Sequence, residues 1–169
     1  MKGMSSSQST YKELLAELLA DAGVAAWGVA KAGPVDSDVI AAYDRWIARG
    51  SQGEMRYMER WRDVRADSRL LLDSGARSII SCAFEYPAPS LSKGGLRWAA
   101  YARGADYHIA LRERLRPVVE RLTEVSGAEC RVCVDTAPIF ERYYAERAGV
   151  GFIGRNGMLI VPGHGSYVL

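Results

Sequence analysis

Residues 133–157 read CVDTAPIFERYYAERAGVGFIGRNG, and the rest of the chain is organised around them. The apolar run at residues 132–134 predicts a strand that delivers a carboxylate, Asp135, at its end. Pro138 suits the first position of the following helix, because its ring fixes a helical φ and its missing N–H costs nothing there. We predict that helix over residues 139–148, with Gly149 ending it.

A glycine-rich loop follows, with Gly151, Gly154 and Gly157 placed around Arg155 and Asn156. A carboxylate held by rigid backbone beside such a loop suits a site for a large flat ligand, since glycines let the backbone approach a ligand closely. Two simpler interpretations stay open. Asp135 could cap the helix after it, and the glycines could serve turns only.

The totals describe an ordinary globular chain. It has 169 residues, a net charge of +2 and 49% hydrophobic residues, which predict one domain and give no argument for nucleic acid by themselves. Residues 1–9 are polar and serine-rich and predict a disordered tail, with a single domain over residues 10–169. The odd count of three cysteines and the lack of a secretory signal predict a cytoplasmic protein with free thiols.

Local patterns predict a mixture of helices and strands. Thr10 and Glu13 form a capping box that starts a helix. Further helices are predicted from residues 36 or 37 to 50 and over 106–125, where Pro117 should kink or split the helix. Strands are predicted over residues 24–30, 77–86, 96–102, 129–134 and 158–161, with a return strand from Ser166. The chain stops in that strand, which predicts sequence missing downstream. The order favours an α+β or mixed α/β fold over a doubly wound parallel sheet.

Several common sites are disfavoured. Cys130 and Cys133 have C-x-x-C spacing, but on a strand residues three apart point to opposite faces. The letters G-x-G-x-x-G at residues 149–154 follow a helix, the reverse of the dinucleotide-binding context. No phosphate-binding loop with G-K-[ST] and no recognisable metal-ligand spacing is present. We predict no metal ligand in this chain.

Four blocks in order resemble the epoxyqueuosine reductase family, over about residues 50–169. The blocks are GEMRYM at residues 53–58; residues 65–69 leading into the strand at 78–80; YARGADYH at residues 101–108; and the stretch from Asp135 through Asn156, continued by GSY at residues 165–167.

The resemblance implies an oxidoreductase of queuosine biosynthesis. Members reduce the epoxide of epoxyqueuosine, at the wobble position of certain tRNAs, to the alkene of queuosine. The implied fold is like those of flavin nitroreductases and cobalamin-processing proteins, and it holds base-off cobalamin. A following ferredoxin-like domain with two 4Fe–4S clusters would pass electrons from an external donor. The partner is a tRNA carrying epoxyqueuosine, with no membrane, and we expect a monomer.

The resemblance also implies roles for particular residues. Asp135 matches the family's acid, taken to protonate the epoxide oxygen as the ring opens, a role that suits a carboxyl desolvated against an apolar ligand. Arg142 matches a position near the substrate. The residues that match stretches lining the cobalamin pocket are Arg65, Tyr101, Gly154, Arg155, Asn156, Met158 and Ser166.

Two departures from the family pattern are visible. The cluster cysteines (C-x₂-C-x₂-C-x₃-C-P) are absent, and Cys82, Cys130 and Cys133 have the wrong number and spacing to replace them. We therefore expect the fragment to be inactive alone. Arg155 stands where a Lys is common, and Gly157 where a larger residue is common.

Other interpretations stay open. The chain could be a non-enzymatic cobalamin carrier module, or a flavin-dependent reductase on a related fold. Five arginines could contact tRNA or could form an ordinary solvated face: Arg56, Arg60, Arg62, Arg65 and Arg69.

Overall fold

The protein is described here by a computed structural model, which describes residues 5–87 and 99–169. The helices are α1 (Ser5–Asp21), α2 (Ser37–Ala48), α3 (Tyr57–Arg60), α4 (Arg62–Ala66), α5 (Tyr107–Ser126) and α6 (Glu141–Arg147). The strands are β1 (Ala26–Lys31), β2 (Ser78–Ala83), β3 (Phe152–Ile153) and β4 (Leu159–Ile160). Short 3₁₀ turns occupy Ser68–Leu71 and Ala100–Ala102. The predicted mixture of helices with a small sheet is confirmed.

The central sheet is an antiparallel pair extended by the end of the chain. β1 pairs with β2 in a register that sets Ala26 against Ala83 and Lys31 against Ser78. Beyond β2, Phe84 and Leu169 exchange two backbone hydrogen bonds of 2.9 and 2.8 Å. The backbone carbonyl of Ala83 points toward β1. Because backbone groups alternate in direction along a strand, the pairing of Phe84 with Leu169 lies on the opposite edge, away from β1. The predicted return strand from Ser166 is therefore not a strand: it pairs with the residues just after β2 through an isolated bridge between Glu85 and Val168.

Helices cover both faces of the central pair. On one face Trp27 and Cys82 pack against α1 and α5, around the buried residues Leu19 and Val118. On the other face Ala30 packs with Tyr144 of α6. This alternation follows from the period of two in a strand, which sends neighbouring side chains to opposite faces. The core is thus a helix–sheet–helix sandwich.

The position of α6 depends on a glycine. A Cβ built on Gly28 of β1 would lie 2.1 Å from the carbonyl oxygen of Ala148, just after α6. Gly151 shows the same closeness to β4, where a Cβ would lie 2.3 Å from the oxygen of Ile160. Only residues without a Cβ permit these backbone approaches. They place α6 directly against β1 and against the β3–β4 hairpin.

The predicted strand over residues 129–134 is wrong. This segment makes no strand pairing, although Val134 is buried with Phe84 and Leu111. An apolar, β-branched pattern reports burial, and here the burial comes from packing against α5 rather than from a ladder.

The predicted start of the next helix is also wrong. α6 begins at Glu141, with Phe140 before it, so Pro138 is not its first residue and Asp135 is not its cap. The carboxylate of Asp135 bonds to Tyr107 instead. Residues 135–140 form a bend between the extended segment and α6.

Three smaller predictions differ from the structure. α1 begins at Ser5, so Thr10 lies inside it, and residues 5–9 of the predicted tail are helical. α5 is not split at Pro117, which is exposed together with Glu113, so water can reach the carbonyl that the proline leaves without a partner. Of the predicted strand at residues 96–102, residues 96–98 lie outside the described residues, and Ala100–Ala102 is a 3₁₀ turn.

We predict that Gly28→Ala lowers the free energy of unfolding by about 1 to 3 kcal/mol, the usual cost of an overpacked contact. Gly33→Ala is the matched control, because a Cβ there would meet nothing within 4 Å. That control should change stability by less than about 1 kcal/mol. Urea unfolding measures both, and equal stability of the two variants would contradict the close approach of α6 to β1.

Candidate functional site

Asp135 adopts an uncommon main-chain conformation. Its φ is 53°, and among the described residues it is the only non-glycine residue with a positive φ. Aspartate tolerates the left-handed region better than most residues, at a cost of about 1 to 2 kcal/mol. Such a conformation persists only where its surroundings hold it.

Three side chains from α5 and α6 hold the segment at Asp135. The hydroxyl of Tyr107 donates to Oδ2 of Asp135 at 2.5 Å. The backbone N–H of Asp135 donates to Oε1 of Glu141 at 2.8 Å. Arg112 donates to the hydroxyl oxygen of Thr136. The carboxyl group remains half exposed, with 54% of the side chain accessible, so it can meet an external molecule while its main chain is fixed.

His108 adds an imidazole beside this carboxylate. Its ring stacks on Tyr107 at a centroid distance of 4.1 Å, and its Nε2 lies 4.0 Å from Oδ2 of Asp135. Its Nδ1 lies 2.8 Å from Oδ1 of Asp106, which also caps α5 by accepting the backbone N–H of His108. Hydrogen bonds from His108 hold the pKa of Asp106 below its usual value. The two ring nitrogens of His108 therefore face two different carboxylates, Asp106 and Asp135.

Glu141 is the carboxyl group whose protonation is most perturbed at this site. Burial raises the pKa of Glu141 to about 7, and the nearby Asp135 carboxylate adds to the rise. Both effects disfavour the charged form, the first by desolvation and the second by repulsion between like charges. Glu141 therefore changes charge near neutral pH, directly beneath the main chain of Asp135.

A series of edge-to-face tyrosines leads away from the carboxylate. Tyr107 packs on Tyr101 at 5.9 Å, Tyr101 on Tyr86 at 6.3 Å, and Tyr86 on Tyr167 at 5.7 Å. Burial raises the pKa of Tyr107 well above its usual value, and the hydrogen bond to Asp135 raises it further. The hydroxyl group therefore keeps its proton and acts as a hydrogen-bond donor. Tyr101 is 47% exposed. The predicted residue Tyr101 is thus one ring away from Asp135, and Ser166 precedes the last tyrosine of the series.

The glycine-rich loop joins β3 to β4. Gly154 N–H donates to the oxygen of Met158 at 2.8 Å, and Met158 N–H donates to Oδ1 of Asn156 at 3.1 Å. Phe152, Ile153 and Met158 leave 51%, 41% and 41% of their surface exposed. Arg155 and Asn156 are exposed at the tip. The hairpin therefore presents apolar side chains and polar groups together.

The first residues of α6 connect the aspartate to this hairpin. Glu141 accepts from Asp135, and the next residue, Arg142, donates to the carbonyl oxygen of Gly157. Near the other end of α6, Glu146 accepts from the backbone N–H of Ile153 at 2.9 Å. One short helix thus brings together the predicted acid, the predicted substrate residue and the predicted cofactor loop.

Arg65 does not join this group. Its side chain is 8% exposed, and its Nη2 lies 3.4 Å from the sulfur of Met58, close to Tyr43. That Arg65 lines a ligand pocket stays a prediction; in this structure its guanidinium is enclosed by its own neighbours. Its buried Nε has no hydrogen-bond partner among the described residues.

The predicted arginine surface is likewise divided. Arg62 makes a bidentate contact with Asp44, at 2.9 and 2.6 Å, and Arg69 is paired with Asp67. Arg56 and Arg60 are exposed. With Arg65 buried, the five arginines do not form one basic surface.

The sequence interpretation missed four residues around Asp135 and Thr136: Tyr107, His108, Arg112 and Glu141. Tyr107, His108 and Glu141 stand inside the quoted blocks, and that is the signal by which they could have been found. Among the described residues, no group of three or more His, Cys, Asp or Glu could hold a metal ion. Within the same ranges, no helix has the length and apolar character to cross a membrane.

We predict that the Glu141 carboxyl makes stability depend on pH. Its folded pKa of about 7 exceeds its unfolded value, so the folded state binds more protons and stability falls as pH rises from about 4.5 to 7. Glu141→Gln should abolish this dependence, which changes the free energy of unfolding by about 3 kcal/mol at most. Urea unfolding across this range measures the difference between variant and wild type. A difference that stays constant with pH would contradict the assignment.

Comparisons with known proteins give one consistent match. A family model described as "Epoxyqueuosine reductase QueG, DUF1730" matches residues 65–136. The epoxyqueuosine reductase of Synechococcus sp. (strain RCC307) is 38% identical over 131 residues, which cover 76% of this chain and 40% of that protein.

Solved structures agree with the sequence match. An epoxyqueuosine reductase crystallised with an epoxyqueuosine-modified tRNA-Tyr stem loop superimposes with a TM-score of 0.76 at 32% identity, covering 95% of this chain and 44% of that one. The Bacillus subtilis enzyme, with a catalytic aspartate loop swung out of the active site, gives a TM-score of 0.74 at 30% identity and the same coverage. By sequence and by fold, the chain therefore matches epoxyqueuosine reductases, over less than half of their length.

Proposed function

We propose that the complete protein containing this chain reduces the epoxide of epoxyqueuosine in tRNA to the alkene of queuosine. The observation that carries the proposal is the presentation of Asp135. Its main chain is fixed in the left-handed region, Tyr107 orients its carboxyl group, and more than half of the side chain is open to an external molecule. The match to reductases, one of them solved with a modified tRNA stem loop, supplies the substrate class.

The reaction needs a proton donor. Converting an epoxide to an alkene removes the oxygen as water and consumes two electrons and two protons. Asp135 donates a proton to the oxygen as the carbon–oxygen bond breaks. Tyr107 already donates to Oδ2, which leaves Oδ1 as the oxygen that can pass the proton to the substrate. Because the side chain is exposed, water can restore that proton after each turnover.

The β3–β4 hairpin fits the cofactor that the resemblance implies. A corrin is a large, flat ring with an apolar face and polar edges, and one face of the hairpin offers exposed Phe152 and Met158 beside exposed polar groups. We propose that Gly154, Arg155, Asn156 and Met158 hold cobalamin. Tyr101 and Ser166 would contribute from the tyrosine series. When bound, reduced cobalamin supplies electrons to the substrate carbon.

Arg142 can serve the substrate without leaving its place. One of its guanidinium nitrogens donates to the oxygen of Gly157. A guanidinium carries five N–H donors, so several remain for a ribose hydroxyl or a phosphate. We propose that Arg142 fixes the distance between the modified nucleoside and the hairpin.

The remaining parts of the proposal concern the longer protein. Two 4Fe–4S clusters, bound by residues beyond this chain, would pass electrons from an external donor. We propose a fold like those of flavin nitroreductases and cobalamin-processing proteins. The aspartate loop of the B. subtilis relative moves out of its active site, and we propose that the segment at Asp135 is mobile in the same sense.

The test is an assay of the complete gene product on an epoxyqueuosine-modified tRNA stem loop. The wild type should form queuosine, and Asp135→Asn should lower kcat by about 100-fold or more, since the amide cannot donate the proton. Asp73→Asn is the matched control, because Asp73 is an exposed carboxylate outside the site.

Each result separates one interpretation from another. Cobalamin binding without any reduction would favour a carrier module, and a tightly bound yellow chromophore would favour a flavin-dependent reductase. Full activity of Asp135→Asn would contradict the role of the aspartate as proton donor.

A further inference from the structure

We infer that Glu141 is a positioning residue for Asp135: from the start of α6, its carboxylate holds the main chain of the aspartate in the left-handed conformation from which Asp135 acts. The inference rests on the proposed function, since it assigns Glu141 a part in presenting the same proton donor.

The main-chain bond is the first step. Residues 127–140 form neither helix nor strand, so regular structure offers no backbone acceptor to the N–H of Asp135. Oε1 of Glu141 accepts that N–H at 2.8 Å. Glu141 is only partly exposed, and it is the first residue of α6, a helix packed on the sheet. The acceptor is therefore fixed by the fold, and it fixes the donor.

The three contacts at this segment have different consequences. Tyr107 binds the carboxyl group of Asp135, which must exchange its proton during turnover. Arg112 binds the side chain of the next residue, Thr136. Glu141 binds the main chain of Asp135 itself, so it restrains φ without occupying either carboxyl oxygen. Loss of this bond would leave the acid intact and its placement free.

The charge of Glu141 then determines how strongly its carboxyl group accepts the N–H of Asp135. An ionised carboxylate accepts a hydrogen bond about twice as strongly as a neutral acceptor. The pKa of about 7 places that change near neutral pH. Other titratable groups also face Glu141: Asp135 and Cys133 from the extended segment before α6, and His108 from α5.

The first experiment follows the backbone amide of Asp135 by NMR from about pH 5 to about pH 9, in the 169-residue chain labelled at aspartate. We expect its chemical shift to move with a midpoint near 7. Glu141→Gln should abolish this step. His108→Gln should retain it, because the imidazole does not accept the N–H of Asp135. A step that follows His108 instead, or no step in the wild type, would overturn the inference.

The second experiment measures turnover of the complete gene product on the modified tRNA stem loop. Glu141→Ala should lower kcat by about 10- to 100-fold, as expected for a misplaced donor, with KM for the RNA changed by less than about twofold. Glu141→Gln should recover most of the loss, because the amide oxygen accepts the same N–H. Glu124→Ala, which removes an exposed carboxylate paired with Arg121 on α5, is the control.

The outcomes distinguish the inference from the proposed function. Wild-type kcat in Glu141→Ala, or Glu141→Gln as slow as Glu141→Ala, would overturn the positioning role. If the wild type forms no queuosine, the proposed function fails. An NMR step that is lost in Glu141→Gln would still support the hold on the main chain.

Discussion

The close approach of α6 to β1 is the contact on which the site depends. Gly28 has no Cβ, and the backbone after α6 occupies the space that a Cβ would need. From that position α6 packs Tyr144 and Ala145 into the core. Its polar residues then reach out in two directions: Glu141 to the main chain of Asp135, and Arg142 and Glu146 to the β3–β4 hairpin. A shift of α6 would move the acid and the hairpin together.

The aspartate shows how a fold without a local ladder can still present a rigid group. Val134 anchors the chain just before Asp135 in an apolar cluster, and polar contacts from two helices hold Asp135 and Thr136. The left-handed conformation costs free energy, and the hydrogen bonds to Tyr107 and Glu141 offset it by about 1 kcal/mol each. The net free energy that holds this conformation is therefore small.

The sequence predicted which residues lie near one another better than it predicted the local structure around them. Asp135, Arg142 and the loop at Gly154 lie close in sequence, so a short helix was bound to bring them near one another. The predicted strand before Asp135 is wrong because Val132 and Val134 give the same apolar pattern whether they pair in a sheet or pack on a helix. The predicted start of α6 is wrong because Pro138 is equally compatible with the bend that precedes the helix.

Contacts between distant parts of the chain were beyond sequence reasoning. Tyr107 and Asp135 meet only because α5 crosses beside the extended segment, and no local pattern encodes that crossing. The burial of Arg65 beneath Met58 and Tyr43 is a tertiary effect of the same kind, and a charged residue in isolation predicts an exposed position.

The central claim is that the hairpin and the Asp135 segment form one side of a cobalamin site. The most direct measurement is a titration of the complete gene product with cobalamin, followed by its visible spectrum. The account predicts a dissociation constant of about 1 μM or lower and a shift to the base-off spectrum, both weakened when Phe152 and Met158 are replaced by serine. An unchanged spectrum at saturating protein, or binding that ignores both replacements, would contradict it.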